Sequence, residues 1–291
     1  MNTLRRNIII AALLLYGITG IQAQTTNNLE EIFVAYEIAG MNDVIAKKDI
    51  PYLKTSDTAL NMDIYYPPKF DFKRNISAII FITGIPDTSM VKLTGNQFRK
   101  YGQYTSWCKI VAASGMAAIV YETIDPKNNL ISLIEYIKSE QTNLSINDNS
   151  IGAFVCSGNT PTGVSYILSS SSIFSCAVLY YGFFLSEDVE NLAAIESMFK
   201  QMGFQKPPIL PDSNNWKSDV PLLIVRSGQD NIPNLNQSMQ NFLDKAIKQN
   251  LPITLINYSE GLHGFEIYND NETTRQIIKN TLAFFNYYLK Q

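Results

Sequence analysis

The 291-residue chain has one histidine, His263, and three cysteines, Cys108, Cys156 and Cys176. So few soft ligands, with no Cys-x-x-Cys spacing, argue against a zinc site, and no cofactor motif takes their place. Three cysteines are also too few for a disulfide scaffold, and the odd count leaves at least one unpaired. A Cys156–Cys176 bridge is compatible with an oxidising compartment, but buried free thiols are the expected state. Basic residues are not in excess: 23 Lys and Arg face 26 Asp and Glu, for a net charge of −3. The chain therefore lacks the basic field that a nucleic-acid binder needs. Gly84 and Gly158 stand alone, without the lysine of a phosphate-binding loop.

Long apolar runs are also missing. The one candidate, Ile8–Ile18, is shorter than the ~20 residues of a membrane span. It follows Arg5 and Arg6 and precedes Ala23, so residues 1–23 read as a signal peptide with a cut after Ala23. The expectation is an exported protein, periplasmic or secreted. No cysteine at the cut indicates a lipid anchor.

What remains, residues 24–291, reads as one domain with a substantial core; the whole chain is 46% hydrophobic and 11% aromatic. Ala78–Thr83 is a short β-branched apolar run, as expected of a strand buried on both faces. Ala117–Tyr121, Ile151–Cys156, Cys176–Tyr181, Leu222–Arg226 and Ile253–Asn257 read as further strands. Helical patterns lie between and after them: Gln97–Ser114, Leu130–Ile137, a helix from Asn159, Met239–Ile247 and Thr274–Leu289. Ala59–Tyr66 alternates like a half-exposed strand and ends at Pro67-Pro68. Such alternation predicts an α/β fold, a mainly parallel sheet with helices on both faces. Residues 183–219 break the pattern and read as a cap or a long loop. Arg99-Lys100 and Lys47-Lys48 read as solvated surface.

Three side chains follow the carboxyl ends of predicted strands, where ligands gather in open α/β sheets. They are Ser157, Asp230 and His263. Taken singly, each has an ordinary structural reading: a helix cap, a turn aspartate, a surface or core histidine. Together they supply what nucleophilic catalysis needs. A serine hydroxyl is a poor nucleophile until a neutral imidazole takes its proton, and a carboxylate fixes the imidazole tautomer. Asp87 and Glu122 also follow strands and read as either pocket-lining or solvated loop acids. Tyr180, Tyr181, Phe183, Phe184 and Trp107 read as core or as acyl-pocket wall.

Five blocks carry a family resemblance: Asn61-Met-Asp-Ile-Tyr-Tyr-Pro67, Ile80-Phe-Ile-Thr-Gly84, Gly152-Ala-Phe-Val-Cys-Ser-Gly158, Val225-Arg-Ser-Gly-Gln-Asp230 and Leu262-His-Gly-Phe265. In order and spacing the chain resembles the α/β-hydrolase superfamily, and within it secreted esterases of the dienelactone-hydrolase type. The resemblance implies an α/β-hydrolase fold, a small-molecule ester substrate and no metal. It assigns Ser157 as nucleophile, His263 as general base and Asp230 as its orienting acid. The N–H groups of Ile85 and Gly158 are the oxyanion donors.

The nucleophile turn departs from the Gly-x-Ser-x-Gly pattern, because Val155 and Asn159 occupy the glycine positions around Ser157. Centred on Cys156, the same positions hold Phe154 and Gly158. Ser157 is favoured, since valine fits under the turn more easily than phenylalanine, but Cys156 stays open as an alternative nucleophile for a lactone hydrolase. An inactive, ligand-binding protein and an exopeptidase are the other readings. The oligomeric state is not indicated.

Overall fold

The computed structural model describes residues 29–54, 59–169, 171–186, 192–201, 209–210, 212–216 and 219–289. The expected signal peptide, residues 1–23, lies outside them. Among the described residues the strands are β1 (Ile45–Lys54), β2 (Ala59–Tyr66), β3 (Ile76–Phe81), β4 (Ala117–Tyr121), β5 (Ile146–Cys156), β6 (Cys176–Tyr180), β7 (Leu222–Ser227) and β8 (Ile253–Tyr258). The helices are α1 (Asp87–Thr94), α2 (Gly102–Ala113), α3 (Pro126–Ser139), α4 (Gln141–Leu144), α5 (Thr160–Ile167), α6 (Leu192–Gln201), α7 (Leu235–Lys248), α8 (Phe265–Tyr268) and α9 (Glu272–Tyr288).

The strands form one eight-stranded sheet in the order β1-β2-β4-β3-β5-β6-β7-β8. β1 pairs antiparallel with β2 and β2 with β4; the other pairs are parallel. The central strands are buried on both faces, which is why they read as continuous apolar runs. The pleat sends alternate side chains to opposite layers. Along β5, Ala153 and Val155 face the layer built by α3, α5 and α7. Phe154 and Cys156 face the layer of α2 and α9. Among the described residues, no helix is long and apolar enough to cross a membrane.

Four local features differ from the sequence reading, one of them a strand it did not contain. β2 is buried from Met62 to Tyr66, because β1 covers its outer edge and helices cover its faces. β1 itself carries no alternation: it is mostly exposed, contains Pro51 and shifts register twice. The single helix expected over Gln97–Ser114 is a 3₁₀ turn at Phe98–Lys100 followed by α2, with Tyr101 extended between them. The break at Gly102 lets the chain approach the carbonyls of Glu30 and Ile32, where a Cβ would lie 2.8 and 2.6 Å away.

The fourth change concerns charge. Arg99 is buried, whereas Lys47, Lys48 and Lys100 are exposed. Its guanidinium meets Asp63 at 2.9 Å, Glu122 at 2.7 Å and the exposed Asp49 at 2.8 Å. Glu122 also accepts the Asn61 N–H at 3.0 Å, so this cluster ties β1 and β2 to the end of β4. Glu122 is thus neither a pocket wall nor a solvated loop acid, and neither is Asp87. Buried at the start of α1, Asp87 accepts the N–H groups of Phe98 at 3.0 Å and Thr123 at 2.7 Å. It therefore anchors the loop that carries Ile85.

Burial raises the Asp87 carboxyl to about 6, against the two amide hydrogen bonds that favour its ionised form. A folded-state value above the unfolded 3.8 means that ionising Asp87 removes stability as pH rises through about 6. Urea unfolding of the parent and Asp87→Asn at pH 4 and pH 7.5 checks this. The parent's advantage over the variant should shrink by about 2–3 kcal/mol at the higher pH. A pH-independent difference would contradict the assignment.

Candidate active site

β5 runs into the site with extended backbone at Cys156, and the chain then turns sharply. Ser157 has φ 54°, a left-handed conformation that non-glycine residues adopt at some cost. This turn lifts the Ser157 hydroxyl out of the sheet, where it lies 2.8 Å from Nε2 of His263. The other ring nitrogen, Nδ1, is 2.6 Å from Oδ2 of Asp230. A proton on Nδ1, donated to the carboxylate, leaves Nε2 bare to accept from Ser157. Asp230 has no exposed side-chain surface and His263 is 23% exposed, so the pair is dry at one end and reachable at the other.

The two loops that carry this pair are bound to each other. Gly228 N–H donates to Tyr258 C=O at 2.7 Å and Gln229 N–H to Gly261 C=O at 2.9 Å. A Cβ on Gly228 would lie 2.2 Å from the Ser259 carbonyl oxygen, so that crossing requires glycine. The second oxygen of Asp230 accepts the Ile232 N–H at 3.1 Å, which fixes the carboxylate plane. Beyond His263, Phe265 is fully buried among Tyr180, Tyr181 and Tyr258 and pins the loop.

Cys156 is not part of this arrangement. The pleat turns its thiol into the α2/α9 layer, where Sγ lies 3.7 Å from the Tyr104 hydroxyl. Burial pushes the thiol up to about 12, which keeps it protonated and a weak nucleophile. Cys108, Cys156 and Cys176 are all buried free thiols, with no bridge between the latter two.

Both departures from the glycine pattern are accommodated by neighbours. Val155 packs under α5, and the space its methyls need comes from Gly163, where a Cβ would meet them at 2.8 and 2.9 Å. The glycine missing from the strand is supplied by the helix. Asn159 is buried, accepts the Gly84 N–H on Oδ1 at 2.7 Å and donates from Nδ2 to Tyr104 OH at 2.9 Å. Gly84 in turn crosses the Asn159 backbone so closely that a Cβ would lie 2.6 Å from its carbonyl oxygen. With the Gly84 N–H occupied, the next amide along the loop is that of Ile85. Among the described residues, neither Ile85 N–H nor Gly158 N–H donates to another protein group.

The apolar surroundings come from both halves of the chain. A Cβ on Gly158 would lie 3.1 Å from Ile85 Cδ1 and 3.9 Å from Phe199 Cζ of α6. Phe199 of α6 therefore lies beside the Ser157 turn, anchored in a small cluster with Phe183, Leu185, Ile195 and Leu235. The other aromatics divide: Trp107 and Tyr180 pack in the α2/α9 core, Phe184 stacks on Phe242, and Tyr181 lies against His263 with ring centroids 4.6 Å apart. Among the described residues no cluster could hold a metal ion.

Gly163, and a carboxylate at Glu266 described below, were not evident as site residues from sequence. A glycine inside a short helix costs about 1 kcal/mol relative to alanine, and that was the available signal for Gly163.

No protein-family model matches the chain, and no curated protein matches it. Solved structures do. Over 97% of this chain and 96% of the other it is similar to a fungal esterase from Rhizomucor miehei, at 11% identity and a TM-score of 0.68. It is similar to Thermogutta terrifontis esterase 2, in a form phosphonylated by sarin, over 84% and 97% of the two chains, at 16% identity and a TM-score of 0.64. A bacterial heroin esterase aligns over 88% of each chain, at 12% identity and a TM-score of 0.62. At such identities the likeness establishes the fold, which is that of the α/β-hydrolases.

The exchange of glycine between strand and helix predicts a coupling. Gly163→Ala should destabilise the protein by about 1–3 kcal/mol through overpacking, despite alanine's better helix propensity. Val155→Ala in the same chain should recover most of that loss. Chemical denaturation of both single variants and the double variant measures the cycle. Additive losses would show that Val155 and Gly163 do not share the space.

Proposed function

We propose that this α/β-hydrolase-fold protein is an exported serine hydrolase of carboxylic esters, acting through Ser157, His263 and Asp230. The observation that carries the reading is the continuous chain of short contacts from Ser157 Oγ through His263 to the buried carboxylate of Asp230. The esterase activity of the similar solved structures supports the choice of ester over amide. The dienelactone-hydrolase type is a finer reading that rests on the sequence blocks alone.

In this mechanism Ser157 Oγ attacks the ester carbonyl carbon as its proton passes to His263 Nε2. Asp230 holds the ring in the tautomer that can accept that proton and stabilises the imidazolium that results. The carbonyl oxygen, now negative, is held by the N–H groups of Ile85 and Gly158. Collapse of the tetrahedral species breaks the ester C–O bond, and His263 gives its proton to the departing alkoxide. Water then attacks the acyl-serine in the mirrored sequence, regenerating Ser157 and releasing the acid. No metal or cofactor enters any step.

Asn159 acts on the oxyanion side. By engaging Gly84 N–H it holds the loop so that the following amide, Ile85, is the free donor. The altered turn, the feature that kept an inactive protein as an alternative, is thus closely packed, with Asn159 hydrogen bonded to Gly84 and Tyr104. The protonated, buried thiol of Cys156 disfavours the cysteine alternative. Ile85 and Phe199 place apolar side chains beside the turn.

Hydrolysis of p-nitrophenyl acetate and butyrate tests the reading. Ser157→Ala should lower kcat/KM by roughly 10³-fold or more, while Cys156→Ala should keep activity within about tenfold of the parent. Activity that survives Ser157→Ala and disappears in Cys156→Ala would move the nucleophile by one residue.

A further inference from the structure

Three residues after His263, at the start of the short helix α8, Glu266 points inward and has no exposed surface. Its Oε1 accepts hydrogen bonds from the Tyr181 hydroxyl and, at 2.7 Å, from Gln103 Nε2. Its Oε2 has no hydrogen-bond partner in any other described residue. A fully buried carboxyl with one orphaned oxygen is costly, and such groups are normally paired with a cation. No Arg or Lys among the described residues forms an ion pair with it. Among the described residues, the cationic group that acts on it is His263, whose charge favours ionised Glu266.

Tyr181 connects the two. Its ring lies against the imidazole at 4.6 Å between centroids, tilted by 59°, while its hydroxyl donates to Glu266. Tyr181 has φ 34°, an unfavourable left-handed conformation for an aromatic residue. That backbone places the ring between carboxyl and imidazole. Gln103 Nε2 also approaches the Tyr181 hydroxyl at 3.2 Å, closing a three-membered network beneath the histidine.

We propose that Glu266 is a positioning residue for His263: through Tyr181 it steadies the ring, and its buried carboxylate is the counter-charge that favours the protonated imidazole. In the ester-hydrolysis reading, on which the catalytic part of this inference rests, His263 becomes positive as Ser157 loses its proton. Asp230 stabilises that charge from the Nδ1 side, and Glu266 adds a second negative charge from below the ring.

The surroundings of both groups are specific. His263 faces Ser157 from the end of β5, Asp230 from the loop after β7 and Tyr181 from the end of β6. Glu266 faces Gln103 and Tyr104 on α2, Cys156 on β5, Tyr180 and Tyr181 at the end of β6, and Tyr268 on its own helix. Among these only Asp230 and Glu266 are carboxylates. Burial raises the Glu266 carboxyl; the hydrogen bonds from Tyr181, from its own backbone N–H and from Gln103 oppose that rise, and so does His263. Ionised Glu266 and a positively charged His263 therefore favour each other.

The chain's one histidine makes the test direct, because every imidazole signal in an NMR titration of the untagged protein belongs to His263. In Glu266→Gln the titration midpoint should move to lower pH by about 0.5–1 unit relative to the parent, and the acid limb of kcat/KM should follow. An unmoved midpoint in a folded variant overturns the proposal; a moved midpoint with a stationary acid limb overturns its catalytic part. If Glu266→Gln does not fold, the carboxyl carbon signal of Glu266 in the parent decides. It should show a step at the His263 midpoint, and a smooth trace there overturns the coupling. Absence of ester hydrolysis in the parent, with the midpoint shift present, counts against the esterase reading and not against the coupling.

Discussion

Everything at this site depends on one turn of backbone held in an unfavourable shape. Ser157 adopts a left-handed conformation directly after a buried strand, and nothing local to Ser157 prefers it. The turn is kept by close packing on three sides. Gly163 opens space for Val155 below, Gly84 brings its own loop against the Asn159 backbone, and the Asn159 side chain closes that contact with hydrogen bonds to Gly84 and Tyr104. Packed cores are stiff, so strain of this kind persists only where the neighbours over-determine it. Among the described residues, the amides of Ile85 and Gly158, on either side of these contacts, donate to no other protein group.

A second constraint brings the base to the nucleophile. The loops after β7 and β8 are joined by backbone hydrogen bonds through Gly228 and Gly261, so Asp230 and His263 are fixed relative to each other before either meets Ser157. Buried Phe265 and the Tyr181–Glu266 network then fix the histidine from beneath. The preorganisation is electrostatic as well as steric. Carboxyl groups are buried on two sides of the His263 ring, and in the proposed mechanism both would stabilise the charge it gains from Ser157.

Much of this was legible in the sequence, for identifiable reasons. Strands buried on both faces leave continuous β-branched runs, so β4, β6 and β7 could be read to within a residue, whereas β3 lies two residues earlier than read and the polar first half of β5 was missed. Ser157, Asp230 and His263 stood out because each follows the carboxyl end of a predicted strand, and the structure brings all three together. β1 was invisible because an exposed, bulged edge strand has no alternation to detect. Arg99 looked like surface beside Lys100, since nothing within its own segment shows that Asp63 and Glu122 will converge on it from β2 and β4. Asn159 was legible as a departure but not as a clamp, because its partners Gly84 and Tyr104 are 75 and 55 residues away. Glu266 was hidden for a similar reason: an acid on a short helix is ordinarily solvated, and only the packing of α2 against the β6 end buries it.

The most direct test of the central claim is to treat the protein with a fluorophosphonate and locate the adduct by peptide mass spectrometry. Such a reagent needs an activated nucleophile and a formed oxyanion hole at the same place. The account predicts stoichiometric labelling on Ser157, abolished in His263→Gln. Labelling on Cys156, or none in a folded protein, would contradict it.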